Sequence, residues 1–209
     1  MEYQRAVAKN FVVYLSNDEG ASQIAREMAE EYGVPIQVYD QVETPTGVEL
    51  LLMANSAIEQ AAKHLDRPVP EHIYIQTLLQ RNFRIIDKAK TIFAVGYLEN
   101  LKTCRGGTGW SIQMALDLEK DVYVYDLKTS EWFHAEREYD VDRVSHLLKM
   151  QTKFNICLTQ PRLKQSSPVV GAKRLGPISK NAIKNLFHQT FCTPENSESM
   201  RKALKEFDL

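Results

Sequence analysis

The chain has 209 residues, of which 44% are hydrophobic and 25% are charged, a balance typical of a globular protein with a substantial core. Its 26 basic and 27 acidic residues leave a formal net charge of -1 at pH 7, so no global field attracts nucleic acid or an acidic membrane. The longest near-uncharged apolar run, residues 50–58, is too short to cross a bilayer.

The cysteines and histidines give no sign of a metal site. The three cysteines form no CxxC pair, which favours a reducing compartment over a zinc site or a disulfide framework. The five histidines lie apart in sequence, without HxxxH or HExxH spacing. We therefore expect a soluble, cytoplasmic protein with no metal, no cofactor, and neither nucleic acid nor a membrane as partner.

The first elements form a β–α–β unit. Residues 11–15 (FVVYL) are a short apolar run typical of a strand buried on both faces. Apolar residues at positions 24, 28 and 32 predict a helix that ends at Gly33, and residues 35–40 form a second strand. Such a unit implies two parallel strands joined by a right-handed crossover.

Two helices follow a turn-rich connection at 42–47. The first spans about 48–65 and ends before two prolines. The second spans about 72–89. Its spacing places a set of apolar side chains toward a core: Ile75, Leu78, Leu79, Phe83 and Ile86.

A second β–α–β unit consists of a buried strand at 91–96, a glycine turn, a helix at 110–119 and a strand at 121–126. Short strand and helix pieces are expected from there to about residue 150. Strands that alternate with helices predict an α/β fold, a Rossmann-like three-layer sandwich with a mostly parallel central sheet.

The last part of the chain is less regular. Residues 160–179 are rich in Pro, Gly, Ser, Lys and Arg and lead into a helix that contains KNAIKNLF. The segment TPENSESMRKALKEF can form a final amphipathic helix. We expect a single domain at 1–190 and a helical tail at 191–209.

The stretch CRGGTGW, residues 104–110, resembles a phosphate-binding turn in composition and position. In parallel α/β sheets, ligands bind at the carboxyl ends of the strands. Glycines let the backbone approach an anion, and the free N–H groups of the following helix favour negative charge. Thr108 adds a hydroxyl donor, and Arg105 can pair with a phosphate. The alternative is a glycine turn that serves only tight strand–helix packing.

The core TIFAVG…GGTGWSIQMALDLEKDVYVYD resembles the SLOG superfamily of Rossmann-like proteins, the relatives of the cytokinin-activating "lysine decarboxylase-like" (LOG) proteins and of DprA. It is most similar to a bacterial and phage group with a GGTGWAVQMA core. The similarity extends from Val12 to about Phe187. It implies a nucleotide-derived ligand, such as ADP-ribose or a nucleotide phosphate, and in some members cleavage of an N-glycosidic bond.

The chain departs from the family pattern after the first strand. Related proteins tend to carry YSGGAxGAD there, and two of those glycines are Ser16 and Asn17 in this chain. Asp18 and Glu19 add two carboxylates, which would repel a phosphate unless a metal bridged them. This half of the implied site therefore departs from the phosphate-binding pattern of the family.

Two further positions bear on catalysis and anion binding. Gln113 stands where the LOG pattern PGGxGTxxE has its acidic residue, and an amide cannot act as a general base. We therefore assign no catalytic residue, and we leave enzymatic activity open while favouring its absence. Lys173 lies where the late family motif has an arginine, so a basic side chain is retained without assured bidentate geometry.

Arg81 and Asn82 match the family segment LLSRNW, with two interpretations left open. They either bind an anion and a base edge, or serve as a surface arginine and a structural asparagine. The predicted ligand-binding and phosphate-binding residues are Gly20, Ala21, Arg81, Asn82, Gly96, Arg105, Gly106, Gly107, Thr108, Gly109 and Lys173.

Three more side chains have alternatives. Asp126 either contacts a ribose or, as we favour, caps the following turn. Trp110 either stacks on a base or, as we favour, packs in the core. Cys104 is either a reactive thiol at a helix start or an inert one, and with no matching base in the sequence we favour the second.

Three functions remain open. The favoured hypothesis is a protein that binds a nucleotide-derived small molecule through the GGTG loop. The second is a non-catalytic structural or interaction protein that keeps the fold with a degenerate site and docks through its C-terminal helix. The third is an N-glycosidic hydrolase or transferase. A homodimer or a larger protein assembly is compatible with each of them.

Overall fold

The computed structural model describes residues 8–40, 47–141 and 148–192. The strands, numbered in chain order, are β1 (Val12–Ser16), β2 (Ile36–Tyr39), β3 (Thr91–Gly96), β4 (Leu98–Glu99), β5 (Thr103–Cys104), β6 (Asp121–Asp126), β7 (Glu131–Val141), β8 (Leu148–Ile156) and β9 (Ser166–Gly171). The helices are α1 (Ala21–Tyr32), α2 (Val48–Leu65), α3 (Ile73–Asp87), α4 (Gly106–Asp117) and α5 (Pro177–Phe191).

The central sheet confirms the predicted fold class. Its seven strands run in the order β2–β1–β9–β3–β6–β7–β8, and β4 and β5 form a separate small ribbon. Five neighbouring strands pair in parallel, in the order β2, β1, β9, β3 and β6. Strands β7 and β8 extend the sheet in antiparallel orientation. This is a mostly parallel sheet of the Rossmann-like type.

Helices cover both faces of this sheet and build two cores. Strand β3 shows the arrangement most clearly, because all six of its residues are buried. Ile92 and Ala94 face the core made with α2, α3 and α4, and Phe93 and Val95 face the core made with α1 and α5. A three-layer sandwich follows from a strand that is apolar on both sides.

Strand β9 differs from the sequence-based expectation. We expected an irregular segment at 160–179, yet β9 lies at the centre of the sheet between β1 and β3. Proline lacks an N–H for the ladder and is normally excluded from central strands, so Pro168 conceals this strand. The strand register accommodates the proline, because Pro168 pairs with Tyr14 of β1 only. Pairing of β9 with β3 begins one residue later, at Val169.

Two other boundaries are corrected. Residues 131–141 and 148–156 form long antiparallel strands rather than short pieces, and cross-strand contacts such as Asn155 to Glu136 at 2.7 Å support their pairing. Helix α4 begins at Gly106, four residues before the predicted start. The predicted tail helix falls on residues 193–209, and most of the predicted turn falls on 42–46; both lie outside the described residues.

Candidate ligand-binding cleft

A cleft of about 630 Å³ opens at the carboxyl ends of β1 and β9, between α3 and the first turn of α4. Its volume lies in the range of small-molecule sites in proteins. Its position is the one where α/β sheets of this type bind ligands. Among the predicted site residues, seven line this cleft: Arg81, Asn82, Arg105, Gly106, Gly107, Thr108 and Lys173.

The first turn of α4 forms one wall. Gly106 has a positive φ of 63°, a conformation that side chains disfavour. Arg105 occupies the N-cap position in extended conformation, and its side chain makes no cap hydrogen bond. The first N–H groups of a helix have no intrahelical partner and carry a partial positive charge. This wall is therefore chemically compatible with an anion, and phosphate binding by the glycine turn stays a prediction.

The opposite wall of the cleft holds a buried arginine. The Arg81 residue is 3% exposed, and its Nη2 donates to Asp18 Oδ2 at 2.7 Å and to Asn82 Oδ1 at 3.1 Å. Its Nη1 is buried and has no hydrogen-bond partner. Arg81 is therefore not the surface arginine of the alternative interpretation, and part of its donor capacity is unused.

Asn82 connects this arginine to helix α4. Its Oδ1 accepts from Arg81, and its Nδ2 donates to Ser111 Oγ at 3.0 Å. Ser111 Oγ in turn donates to the Gly107 carbonyl at 3.3 Å. Because both ends of the Asn82 amide contact protein groups, the geometry favours its structural interpretation. The chain of hydrogen bonds fixes Arg81 relative to the α4 turn.

The structure corrects the expectation that two carboxylates in the site repel a phosphate. Asp18 lines the cleft, but it forms an ion pair with Arg81 and lies 3.8 Å from the Lys173 Nζ. Glu19 is exposed and is not part of the cleft wall. Among the described residues, the cleft thus contains one carboxylate, and that carboxylate is matched by cations.

Four predicted glycine and alanine positions support the site without lining it. Gly20 has a φ of 82°, and a Cβ there would clash with the Ala172 carbonyl, to which Ala21 N donates at 3.2 Å. A Cβ at Gly96 would lie 2.6 Å from Cys104 Sγ, and one at Gly109 would clash with the Cys104 carbonyl. These residues serve close packing, which is the alternative weighed for the glycine turn.

Arg105 lies at the rim of the cleft. Its side chain is 70% exposed, and its Nε donates to Glu99 Oε1 at 2.7 Å. An exposed ion pair of this kind has a small net energy. Arg105 can therefore exchange Glu99 for a ligand at little cost.

The other sequence candidates are placed as follows. Asp126 Oδ1 accepts from Leu98 N, and its Oδ2 accepts from Thr129 N and Oγ1, which confirms the turn-capping prediction. Trp110 is 8% exposed and belongs to the core, as favoured, while one part of it borders the cleft. Gln113 is buried outside the cleft and donates to Asp117.

Cys104 is inert by position. It is fully buried at the end of β5, and burial raises the pKa of its thiol to about 12. A protonated thiol is a poor nucleophile. Among the described residues, no group of three or more His, Cys, Asp or Glu side chains could hold a metal ion.

Sequence reasoning missed the apolar wall of the cleft. Ile75 and Leu78 were assigned to the core by their spacing, yet both line the cleft, and Ile75 is 44% exposed. Pro70, Leu79 and Trp110 also line the cleft, and the last two belong to the core. Periodicity could not reveal this, because it shows which side chains share a helix face and not whether a neighbouring element covers that face.

Comparisons with protein-family models, with curated proteins and with solved structures found no match to this chain. In the part of the chain that the structure describes, no helix has the length and apolar character needed to cross a membrane.

Proposed function

We propose that this cleft binds a nucleotide-derived small molecule, of the ADP-ribose or nucleotide-phosphate class, with a phosphate against the first turn of α4. The observation that carries the proposal is the buried Nη1 of Arg81, which has no hydrogen-bond partner and belongs to a residue that lines the same cleft as the uncapped helix end. A buried donor without a partner is costly. A phosphate oxygen would satisfy it with a charge-assisted hydrogen bond.

The cleft also offers a surface for a base or another flat apolar group. Ile75, Leu78 and Trp110 line it beside Pro70, and Ile75 is 44% exposed. Small-molecule sites combine such apolar walls with a few polar groups that fix orientation. A ligand with one anionic end and one flat end fits both walls.

The resemblance to the SLOG superfamily supports the same ligand class through the GGTG segment at 106–109. The geometry favours binding over hydrolysis, because Gln113 lies outside the cleft. Asp18, the one carboxylate on the described cleft wall, is paired with Arg81. General acid–base catalysis needs a group positioned and free to exchange a proton.

The second candidate, a non-catalytic interaction protein with a degenerate site, is favoured by one observation. The Asp18–Arg81 ion pair already neutralises the buried guanidinium without a ligand. Under this alternative the cleft binds no nucleotide, and the fold serves as a scaffold.

One substitution separates the two candidates. At Gly107 a Cβ would meet nothing within 4 Å, and φ is not positive there, so Gly107→Asp keeps the fold. Its carboxylate would lie in the first turn of α4, where it stabilises the helix and repels a phosphate. We expect ADP-ribose and AMP at millimolar concentration to raise the melting temperature of the natural protein and not that of the variant.

Gly176→Asp is the matched control. Gly176 caps α5, and a Cβ there also meets nothing within 4 Å, but it lies outside the cleft. This variant should bind as the natural protein does. If no nucleotide changes the melting temperature of the natural protein, or if Gly107→Asp binds normally, the proposed site is wrong.

A further inference from the structure

The charges of the cleft differ between its interior and its rim. Four charged side chains line it among the described residues: Asp18, Arg81, Arg105 and Lys173. Asp18 and Arg81 have side chains only 15% and 4% exposed, whereas those of Lys173 and Arg105 are 64% and 70% exposed. Solvent and salt screen the two outer cations much more than the inner pair.

The interior pair leaves little net charge for a ligand. Arg81 and Asp18 cancel one another at 2.7 Å, so the remaining fixed charge is the N-terminus of α4, worth about half an elementary charge. A singly charged phosphate is roughly matched by this field. A second negative charge on the same phosphate would face Asp18 without an interior cation left to balance it.

The geometry lets Asp18 stay in place when a ligand binds. Arg81 uses Nη2 for Asp18, while Nη1 is unoccupied. One guanidinium can therefore bridge the Asp18 carboxylate and a ligand oxygen. The carboxylate does not need to leave, so it still offsets the charge of Arg81 when a ligand is bound.

Resting on the proposed function, we propose that Asp18 is a specificity-determining residue that makes the cleft prefer a singly charged phosphodiester over a doubly charged phosphomonoester. The preference is a difference of affinities that arises from a repulsive element built beside an attractive one. Asp18 thus defines the ligand class more closely than the glycine turn does.

Two ligands with the same base and sugar test this preference. At pH 8, AMP carries about two negative charges, because the second pKa of a phosphomonoester is about 6, whereas 3′,5′-cyclic AMP carries a single charge on its diester. We expect isothermal titration calorimetry to show that the natural protein binds cyclic AMP about fivefold more tightly than AMP. Asp18→Asn should tighten AMP binding about tenfold and change cyclic AMP binding much less.

Two control variants test whether the effect comes from the charge of Asp18 inside the cleft. Asp18→Glu keeps the charge and should keep the preference. If Asp18→Asn does not fold, the natural protein still tests the inference, because equal affinities for the two nucleotides, or tighter binding of AMP, overturn it. Glu19→Gln removes the same charge one residue away, outside the cleft, and should change neither affinity. An unchanged ratio of the two affinities in Asp18→Asn overturns this inference while leaving ligand binding intact. Failure of all these proteins to bind either nucleotide overturns both the inference and the proposed function.

Discussion

Arg81 and Asp18 lie 63 positions apart in the chain, and their side chains meet at 2.7 Å on the wall of the cleft. The pair joins helix α3 to the loop that follows β1. A guanidinium buried to this degree needs a carboxylate partner. The ion pair therefore contributes both to the fold and to the electrostatics of the candidate site.

Removing one partner of this pair should destabilise the protein strongly. Arg81→Met leaves the Asp18 carboxylate, 15% exposed, without its main cation, and such a change costs about 3 kcal/mol of unfolding free energy. Urea denaturation followed by circular dichroism measures this loss. The double variant Asp18→Asn with Arg81→Met should lose less than Arg81→Met alone, because the Asp18 charge is removed together with the guanidinium that balances it. An equal or larger loss in the double variant would contradict the role given to the pair.

Two adjacent glycines should respond in opposite ways to alanine. Gly106 has a φ of 63°, while Gly107 does not have a positive φ, and a Cβ at either position meets nothing within 4 Å. Gly106→Ala should therefore cost about 1 kcal/mol through backbone strain alone. Gly107→Ala, inside a helix turn, should be neutral or stabilising.

Thermal or urea unfolding of the two single variants measures the difference. The comparison is internally controlled, since the substitution, the helix and the surrounding space are the same. Equal stability of the two variants would show that the Gly106 conformation is not required for the turn.

Local patterns predicted most of this fold, and contacts distant in sequence produced what was missed. Strand β3 and the helix stop at Gly33 are encoded by neighbouring residues, and the structure confirms both. Strand β9 depends on its pairing with β1 and β3, and Pro168 conceals it. The pairing of Asp18 with Arg81 has no local signature either. Because this ion pair was not predicted, the sequence analysis overestimated the repulsion between the site and a phosphate.

Cys104 should resist alkylation in the folded protein. It is fully buried, and burial raises the pKa of its thiol to about 12, so no thiolate is accessible near neutral pH. Iodoacetamide labelling at pH 8 followed by peptide mass spectrometry should modify Cys104 only after unfolding in urea. Cys157 and Cys192 are partly exposed and report that the reagent is active. Labelling of folded Cys104 at the rate of these two would contradict the structure.

The same thiol makes stability depend on pH in the alkaline range. Its pKa rises from an ordinary value of 9.0 to about 12 in the folded state, so the folded protein keeps a proton that the unfolded chain loses. The stabilisation is fully present below pH 9 and is lost as pH rises toward 12. Tyr32 acts in the same direction, because burial and Cys192 raise its pKa from 10.0 to about 12. The urea midpoint should fall between pH 8 and pH 10.5, and fall less in Cys104→Ala; a constant midpoint would contradict both shifts.

Asp126 should contribute to stability and not to ligand binding. Its carboxylate is 2% exposed and accepts hydrogen bonds from Leu98 N at 2.9 Å and from Thr129 N at 3.1 Å. Asp126→Ala leaves these backbone donors without their acceptor and should cost about 2 kcal/mol. Asp126→Asn keeps one carbonyl oxygen and should cost less.

Asp126 is not part of the cleft wall, so the affinity for ADP-ribose should be unchanged in Asp126→Asn when measured by calorimetry below its melting temperature. This result separates the turn-capping role from the ribose-binding alternative. If Asp126 instead contacted a ribose, Asp126→Asn would weaken the binding of both AMP and ADP-ribose. A lower affinity for these nucleotides without a loss of stability would therefore show that Asp126 contacts the ligand.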